Sequence, residues 1–246
     1  MRTRIHFHTL DALRFFAFFK VFLLHIPLDV DMPVFSFLKS GGGIGVSFFF
    51  VLSGFLITYI LSYEKIHVGQ IDIKKFFVRR SLRIWPLFFL IVTIVALIPY
   101  GVKDNLGLHM IANGYDFDWR YSFTFTENYK MIAMDNHPKT TPLGVFWSLC
   151  IEEHFYILWM LMFFLLPVKR IPIFLVSTIA IALISRFIEP FITHNSKIFS
   201  DDILTTVDNF AIGGLPAYFL AKNPERIFRL INKIPLALKR MYLCFA

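Results

Sequence analysis

Apolar residues fall into long, nearly unbroken runs, not the spaced stripes of soluble amphipathic helices or the alternation of half-buried strands. A helix needs about 20 mostly apolar residues to cross a bilayer. Six stretches come close to that length, at 9–28, 44–63, 84–100, 145–166, 171–188 and 203–221. They predict an all-α fold: a polytopic integral membrane helix bundle with about six transmembrane helices, in a single domain over residues 1–246. The first run carries Asp11, Arg14, Lys20 and His25 and lacks a small-residue cleavage site, so it reads as a retained helix and not a signal peptide.

Composition agrees. The 246 residues are 57% hydrophobic before the 12 glycines are counted, and 31 are phenylalanine. Charged residues make up 17% of the chain, against about 25% in soluble domains. With a mean hydropathy of +0.62, the chain is not disordered, collagenous or a coiled coil, and an ordinary soluble enzyme is disfavoured. Cys150 and Cys244 lie in apolar surroundings, where they read as small core residues. They form neither a disulfide framework nor a metal-ligand spacing, and no metal is expected.

A net charge of +8 would suit a nucleic-acid binder as well, so its distribution matters. The N-terminus, the segment after the second run, the segment after the fourth and the tail hold sixteen of the 25 basic residues and only three acids, Glu64, Asp72 and Glu225. The alternate segments hold six basic residues and ten acids. That asymmetry is the positive-inside pattern. It predicts a cytoplasmic N-terminus and explains the basic chain without nucleic acid.

Asp11, Arg14, Lys20, Glu152, Glu153, Arg186 and Asp208 remain, within or at the ends of the runs. An ionisable group at membrane depth costs at least ~2.5 kcal/mol on insertion scales, so by default it faces a protein interior or a wet cavity. For Lys20, Glu152 and Arg186 the alternative is a structural ion pair or a snorkelling side chain.

Arg14 and His25 are eleven residues apart, three helical turns plus about 20°, so they share one face ~16 Å apart along the axis. Asp11 lies one turn before Arg14. The imidazole is the usual general base near neutral pH, set against the common role of a histidine bonded within a core. Glu152 and Glu153 open the fourth run and point ~100° apart. Either could orient His25, hold an acceptor hydroxyl or simply favour the helix N-terminus. Arg79, Arg80 and Arg83 stand at the mouth of the third run, where arginine forks suit phosphates and positive-inside anchoring is the alternative. The glycine-rich "GGGIGVSFFFVLSGF" lacks the strand and spacing of a nucleotide loop and reads as a site of close helix packing. Asp208, before Gly213 and Gly214, either binds an acceptor or caps its helix.

In this order, "LDALRF" with His25 eleven residues after Arg14, "GVSFFFVLSGFLIT", "RRSLRIWPLF", "FWSLCIEEHFY" and "VDNFAIGG" resemble the membrane-bound acyltransferase-3 family over about residues 8–220. Family members O-acylate, commonly O-acetylate, surface polysaccharides and related glycans in bacteria. The resemblance implies that Arg14 and His25 are the family's arginine–histidine pair and that Arg80 and Arg83 are its two-arginine motif. It also implies that Trp147, Ser148, Glu152 and Glu153 form its tryptophan–serine–leucine–glutamate–glutamate motif. Ser47 stands where relatives often carry an acid, and the family usually has about ten spans, more than this chain supplies. The chain is therefore expected to be incomplete at its C-terminus, since the last apolar fragment is short and broken by Lys239 and Arg240.

The activity implied by this resemblance is acyl transfer, most simply of acetyl from acetyl-CoA, to a hydroxyl of a cell-surface glycan or lipid-linked sugar in the bacterial inner membrane. His25, Glu152 and Glu153 are the catalytic candidates, and Arg14, Arg80 and Arg83 hold the donor phosphates. Asp11, Trp147, Ser148 and Asp208 serve the acceptor or the structure, and acyl-CoA is a substrate, with no bound cofactor. The rivals are a transporter or flippase, whose internal repeats are not found here, and an inactive truncated acyltransferase.

Overall fold

The computed structural model describes residues 5, 7–25, 42–106, 114–139, 143–192 and 201–233. Cys244, Lys239 and Arg240 lie outside the described residues. Helices α1 (His8–His25), α2 (Gly42–Tyr63), α3 (Ile73–Leu97), α7 (Trp147–Leu165), α8 (Ile171–Ile192) and α9 (Ile203–Lys222) match the six apolar runs. Between α3 and α7 lie the short α4 (Tyr100–Asn105), α5 (Trp119–Phe123) and α6 (Glu127–Met134), and α9 runs on into α10 (Pro224–Lys233). Among the described residues the only β pairing is an isolated bridge between Tyr115 and Pro138.

Among the described residues five helices are long and apolar enough to cross a membrane: α2, α3, α7, α8 and α9. The sixth predicted span, α1, has 18 residues and carries Asp11, Arg14 and Lys20. It presents Phe15, Phe16, Phe18, Phe19 and Phe22 outward and buries Arg14 and Ala17, one turn apart, on its inner side. Charge on the inner face and phenylalanine on the outer one is the reverse of a soluble helix, as lipid contact requires.

The third helix begins eleven residues before its predicted start. Lys74, Lys75, Arg79, Arg80 and Arg83 lower the hydropathy of that stretch, yet arginine and lysine are good helix formers. The Asp72 carboxylate also accepts the Lys75 amide at 2.9 Å to cap the first turn. The basic cluster therefore rides on a helix continuous with the span, not on a loop.

Lipid offers no hydrophobic drive for helix association, so close packing and interhelical hydrogen bonds must provide it. Helices α2 and α9 meet backbone to backbone through Gly54 and Gly213, and α1 crosses α2 over Gly45, whose missing Cβ would lie 3.1 Å from the Ala17 carbonyl oxygen. Phe210 stacks between Phe155 at 3.9 Å and Phe50 at 4.6 Å, and the Trp159 indole donates to Thr58 Oγ1 at 2.8 Å.

At one end of the bundle, α2 continues as a π-turn (Glu64–Val68) that ends at Gly69 with φ +88°. The turn directs Lys65 onto the carbonyls of Phe163, Phe164 and Leu166 at the C-terminus of α7, and His67 Nε2 onto the Ala221 carbonyl at 3.0 Å. A cation on orphan C-terminal carbonyls is the favourable pairing. The Tyr218 hydroxyl donates to the Val168 carbonyl and the Ile5 amide to the Tyr59 hydroxyl. The segments rich in lysine and arginine thus gather at a single end, as alternating spans require.

Residues 114–139 form a polar cap at the opposite end. Glu127, fully buried, accepts from the Tyr115 and Ser122 hydroxyls, both at 2.6 Å. Lys130 Nζ lies 4.5 Å from the Tyr115 ring centroid and donates to the Asp116 carbonyl at 3.1 Å. Asn128 reaches the Asp201 carbonyl at 3.0 Å, which ties the cap to the start of α9.

Candidate functional site

Helices α1, α3 and α7 each bring charge to one place inside the bundle. Arg14, 8% exposed, lies within electrostatic reach of Arg80, Arg83, Glu152 and Tyr156. Glu152, 4% exposed, accepts from the Ser53 hydroxyl at 3.1 Å and from the Tyr156 hydroxyl one turn along α7. The Arg80 guanidinium lies 5.6 Å from the centroid of the Tyr156 ring, a cation–π position. Arg80 and Arg83 therefore add positive charge near Arg14, beside the buried Glu152 carboxylate and its Tyr156 partner. The excess positive charge suits an anion with more than one negative group, and Arg14 Nε has no hydrogen-bond partner among the described residues.

Arg80 also lines a cavity of about 140 Å³ with Ile60, Glu64, Lys75, Phe76 and Arg79, at the end where the basic segments gather. Arg83, by contrast, is exposed.

His25 ends α1 and is exposed, three turns beyond the buried Arg14. Its Nδ1 lies 2.8 Å from the Val21 carbonyl oxygen, which can only accept, so Nδ1–H donates, and in the neutral ring this tautomer leaves Nε2 as the acceptor. The hydrogen bond described for the His25 ring is to its own helix backbone, and those described for Glu152 and Glu153 are to other groups. Glu153 Oε2 accepts from the Trp85 indole at 3.2 Å, while Oε1, buried, has no partner among the described residues. The ~100° between adjacent helical positions sends Glu152 toward the arginines and Glu153 toward α3.

The other predicted residues make contacts within the bundle or lie at its surface. Asp208 forms a two-point ion pair with Arg186 of α8, at 2.6 and 2.9 Å. It does not cap α9. That is done by Asp202, whose carboxylate accepts the Leu204 amide at 3.1 Å. Ser148 donates to the Val145 carbonyl in the turn before α7, and Trp147 packs edge-on to Phe50 at 6.5 Å. Asp11 is exposed in the first turn of α1, where an acid complements the helix dipole. Ser47 is half-buried on α2. Among the described residues no group of histidine, cysteine and acidic side chains could hold a metal ion.

The sequence reading missed Tyr156, Ser53 and Trp85, because a neutral polar group in an apolar run adds no charge to notice. Tyr156 did carry a signal, its four-residue spacing from Glu152.

The fold is a multi-pass membrane helix bundle with a buried arginine, Arg14, beside a carboxylate–tyrosine pair. The chain matches the acyltransferase domain family over residues 7–239 and belongs to it. It is 32% identical over 190 residues to the peptidoglycan O-acetyltransferase OatA of Listeria monocytogenes, covering 74% of this chain and 28% of that protein. Similarity is also found to the putative peptidoglycan O-acetyltransferase YrhL of Bacillus subtilis (34% over 158 residues, 61% of this chain and 22% of the relative). The O-acetyltransferase OatA of Staphylococcus aureus is 30% identical over 202 residues, 77% of this chain and 31% of the relative. The chain thus spans less than a third of the length of these relatives. No solved structure matches it.

Proposed function

We propose that the chain is a membrane O-acyltransferase that moves an acetyl group from acetyl-CoA, bound from the cytoplasmic side, to a hydroxyl of a cell-wall glycan of the peptidoglycan class. The observation that carries this reading is the approach of Arg80 and Arg83 to the buried Arg14 beside the Glu152–Tyr156 pair. A diphosphate-bearing donor fits that charge, and the ~16 Å from Arg14 to His25 along α1 is of the order that a pantetheine arm spans. The positive-inside charge pattern supports a cytoplasmic arginine end.

In this mechanism Nε2 of His25, its tautomer fixed by Val21, takes the proton of the acceptor hydroxyl. The hydroxyl oxygen attacks the thioester carbonyl, the C–O bond forms, the C–S bond breaks and the proton passes to the departing thiolate. Glu153, with one oxygen unpartnered, holds the acceptor hydroxyl.

Membranes containing the full chain, given radiolabelled acetyl-CoA and peptidoglycan fragments, test the proposal. Label should appear on the glycan, and His25→Ala should abolish it. Undiminished transfer by His25→Ala would remove the histidine from the mechanism, and absence of transfer by the unaltered protein would count against the activity itself.

A further inference from the structure

The last described helix plays no part in the site. Helix α10 follows α9 after the single residue Asn223, whose side chain accepts the Arg226 amide at 3.2 Å to cap the new helix, with Pro224 at its first position. Ten residues are too few to cross a bilayer.

Its surface is divided in two. At ~100° per residue, Ile227, Phe228, Leu230 and Ile231 fall within an arc of about 160°, and Glu225, Arg226, Arg229, Asn232 and Lys233 within the opposite arc of about 120°. Ile227 packs against the cluster of Tyr59, Ala217, Leu220 and Ala221 beside Ile5 and Phe7, which anchors the helix to the bundle through one residue within the apolar arc. The rest of that face is uncovered: Phe228 is 48% exposed, Leu230 53% and Ile231 45%.

We propose that α10 is an interfacial helix that lies on the inner leaflet, with its apolar arc at the boundary of headgroups and acyl chains and its arginines and lysine among anionic lipid headgroups. Three observations carry this inference. The helix leaves a membrane-spanning segment with one intervening residue, so it starts at the surface of the bilayer. Its apolar and charged arcs do not overlap, the arrangement that lets a helix lie in the interface plane. Three cations against one acid complement the negative cytoplasmic leaflet. The proposal does not depend on the acyl-transfer reading.

The test uses the full chain carrying Cys244→Ser, with buried Cys150 left in place, in vesicles of phosphatidylcholine alone or of an equimolar mixture with phosphatidylglycerol. Single spin labels at Phe228→Cys, Ile231→Cys and Asn232→Cys are read by collision with oxygen, which concentrates in lipid, and with a water-soluble nickel chelate. Labels at 228 and 231 should favour oxygen several-fold over the label at 232. That contrast should be larger with phosphatidylglycerol and should fall when Arg226, Arg229 and Lys233 are replaced by Gln. Equal exposure of all three labels to the nickel chelate would place α10 in water, and shielding of 228 and 231 from both reagents would mean that protein covers the face. Either result overturns the proposal, and a contrast indifferent to phosphatidylglycerol overturns its headgroup part.

Discussion

Gly54 of α2 and Phe210 of α9 touch through their backbones: a Cβ on Gly54 would sit 2.1 Å from the Phe210 carbonyl oxygen. The contact is reciprocated one turn away, where a Cβ on Gly213 would lie 2.0 Å from the Val51 carbonyl oxygen. Neither obstacle is a flexible side-chain end, so the helices themselves must part to admit a methyl group. Gly54→Ala and Gly213→Ala should each destabilise the protein by about 1–3 kcal/mol, seen as a lower unfolding temperature in detergent. Gly144, with nothing within 4 Å of its Cβ position, is the matched control, and Gly144→Ala should be nearly silent.

The Arg186–Asp208 pair gives a second prediction. Asp208 is almost fully buried while Arg186 is a third exposed, so removal of the arginine strands a carboxylate at membrane depth. Arg186→Leu alone should cost about 3–5 kcal/mol, and Arg186→Leu combined with Asp208→Leu should recover much of it. Thermal unfolding of the three variants in one detergent measures the coupling. A double variant no better than the single one would show that Asp208 does more than balance Arg186.

Within the candidate site, Tyr156 links Glu152 to Arg80 through its hydroxyl and its ring. Tyr156→Phe keeps the ring beneath Arg80 and removes the hydrogen bond, so it separates the two contributions. If the cluster holds the donor, the KM for acetyl-CoA should rise about tenfold, the equivalent of one hydrogen bond to a charged group at ~1.5 kcal/mol, with the KM for the glycan unchanged. Tyr156→Leu should raise it further by removing the cation–π contact as well. A change confined to kcat would place Tyr156 at the chemistry instead.

The bundle was legible because five of its long helices carry long apolar runs and α1 a shorter one interrupted by charge, and the arginines were legible because charge is conspicuous there. The start of α3 was not, since a window that scores hydropathy treats Lys74 to Arg83 as loop while the capped backbone continues as helix. Partners were harder still. Arg186 and Asp208 lie 22 positions apart on different helices, and nothing in the order of residues aligns their faces. Glu152 and Glu153 looked equivalent as neighbours, and only the packing of α7 against α2 and α3 separated them. The polar cap leaves no long apolar run in the sequence, because much of what holds it is a buried acid, Glu127, bonded by hydroxyls.

That cap gives the last prediction, one of pH. Burial, reinforced by the hydrogen bond to Glu127, pushes the Tyr115 phenol well above its ordinary value of 10.0, and burial with Asp202 nearby raises Tyr129 in the same direction. A group whose native pKa is raised contributes stability that is complete below its unfolded value and is lost as pH climbs past it. The cap should therefore hold at neutral pH and loosen above about pH 10. Lys103, whose pKa burial lowers, acts with the opposite sign, so the cap's total response is a difference of terms. Comparison with Tyr115→Phe isolates one term, because Lys103 and Tyr129 are common to both proteins. Limited proteolysis of residues 114–139 between about pH 8 and pH 11 should show a steeper alkaline rise in the unaltered chain than in Tyr115→Phe. Tyr115→Phe should also be the more readily cleaved at neutral pH, because Glu127 then keeps its burial but loses one of its two hydroxyl donors. Parallel pH profiles in the two proteins would show that the phenol is not what ties the cap to alkaline pH.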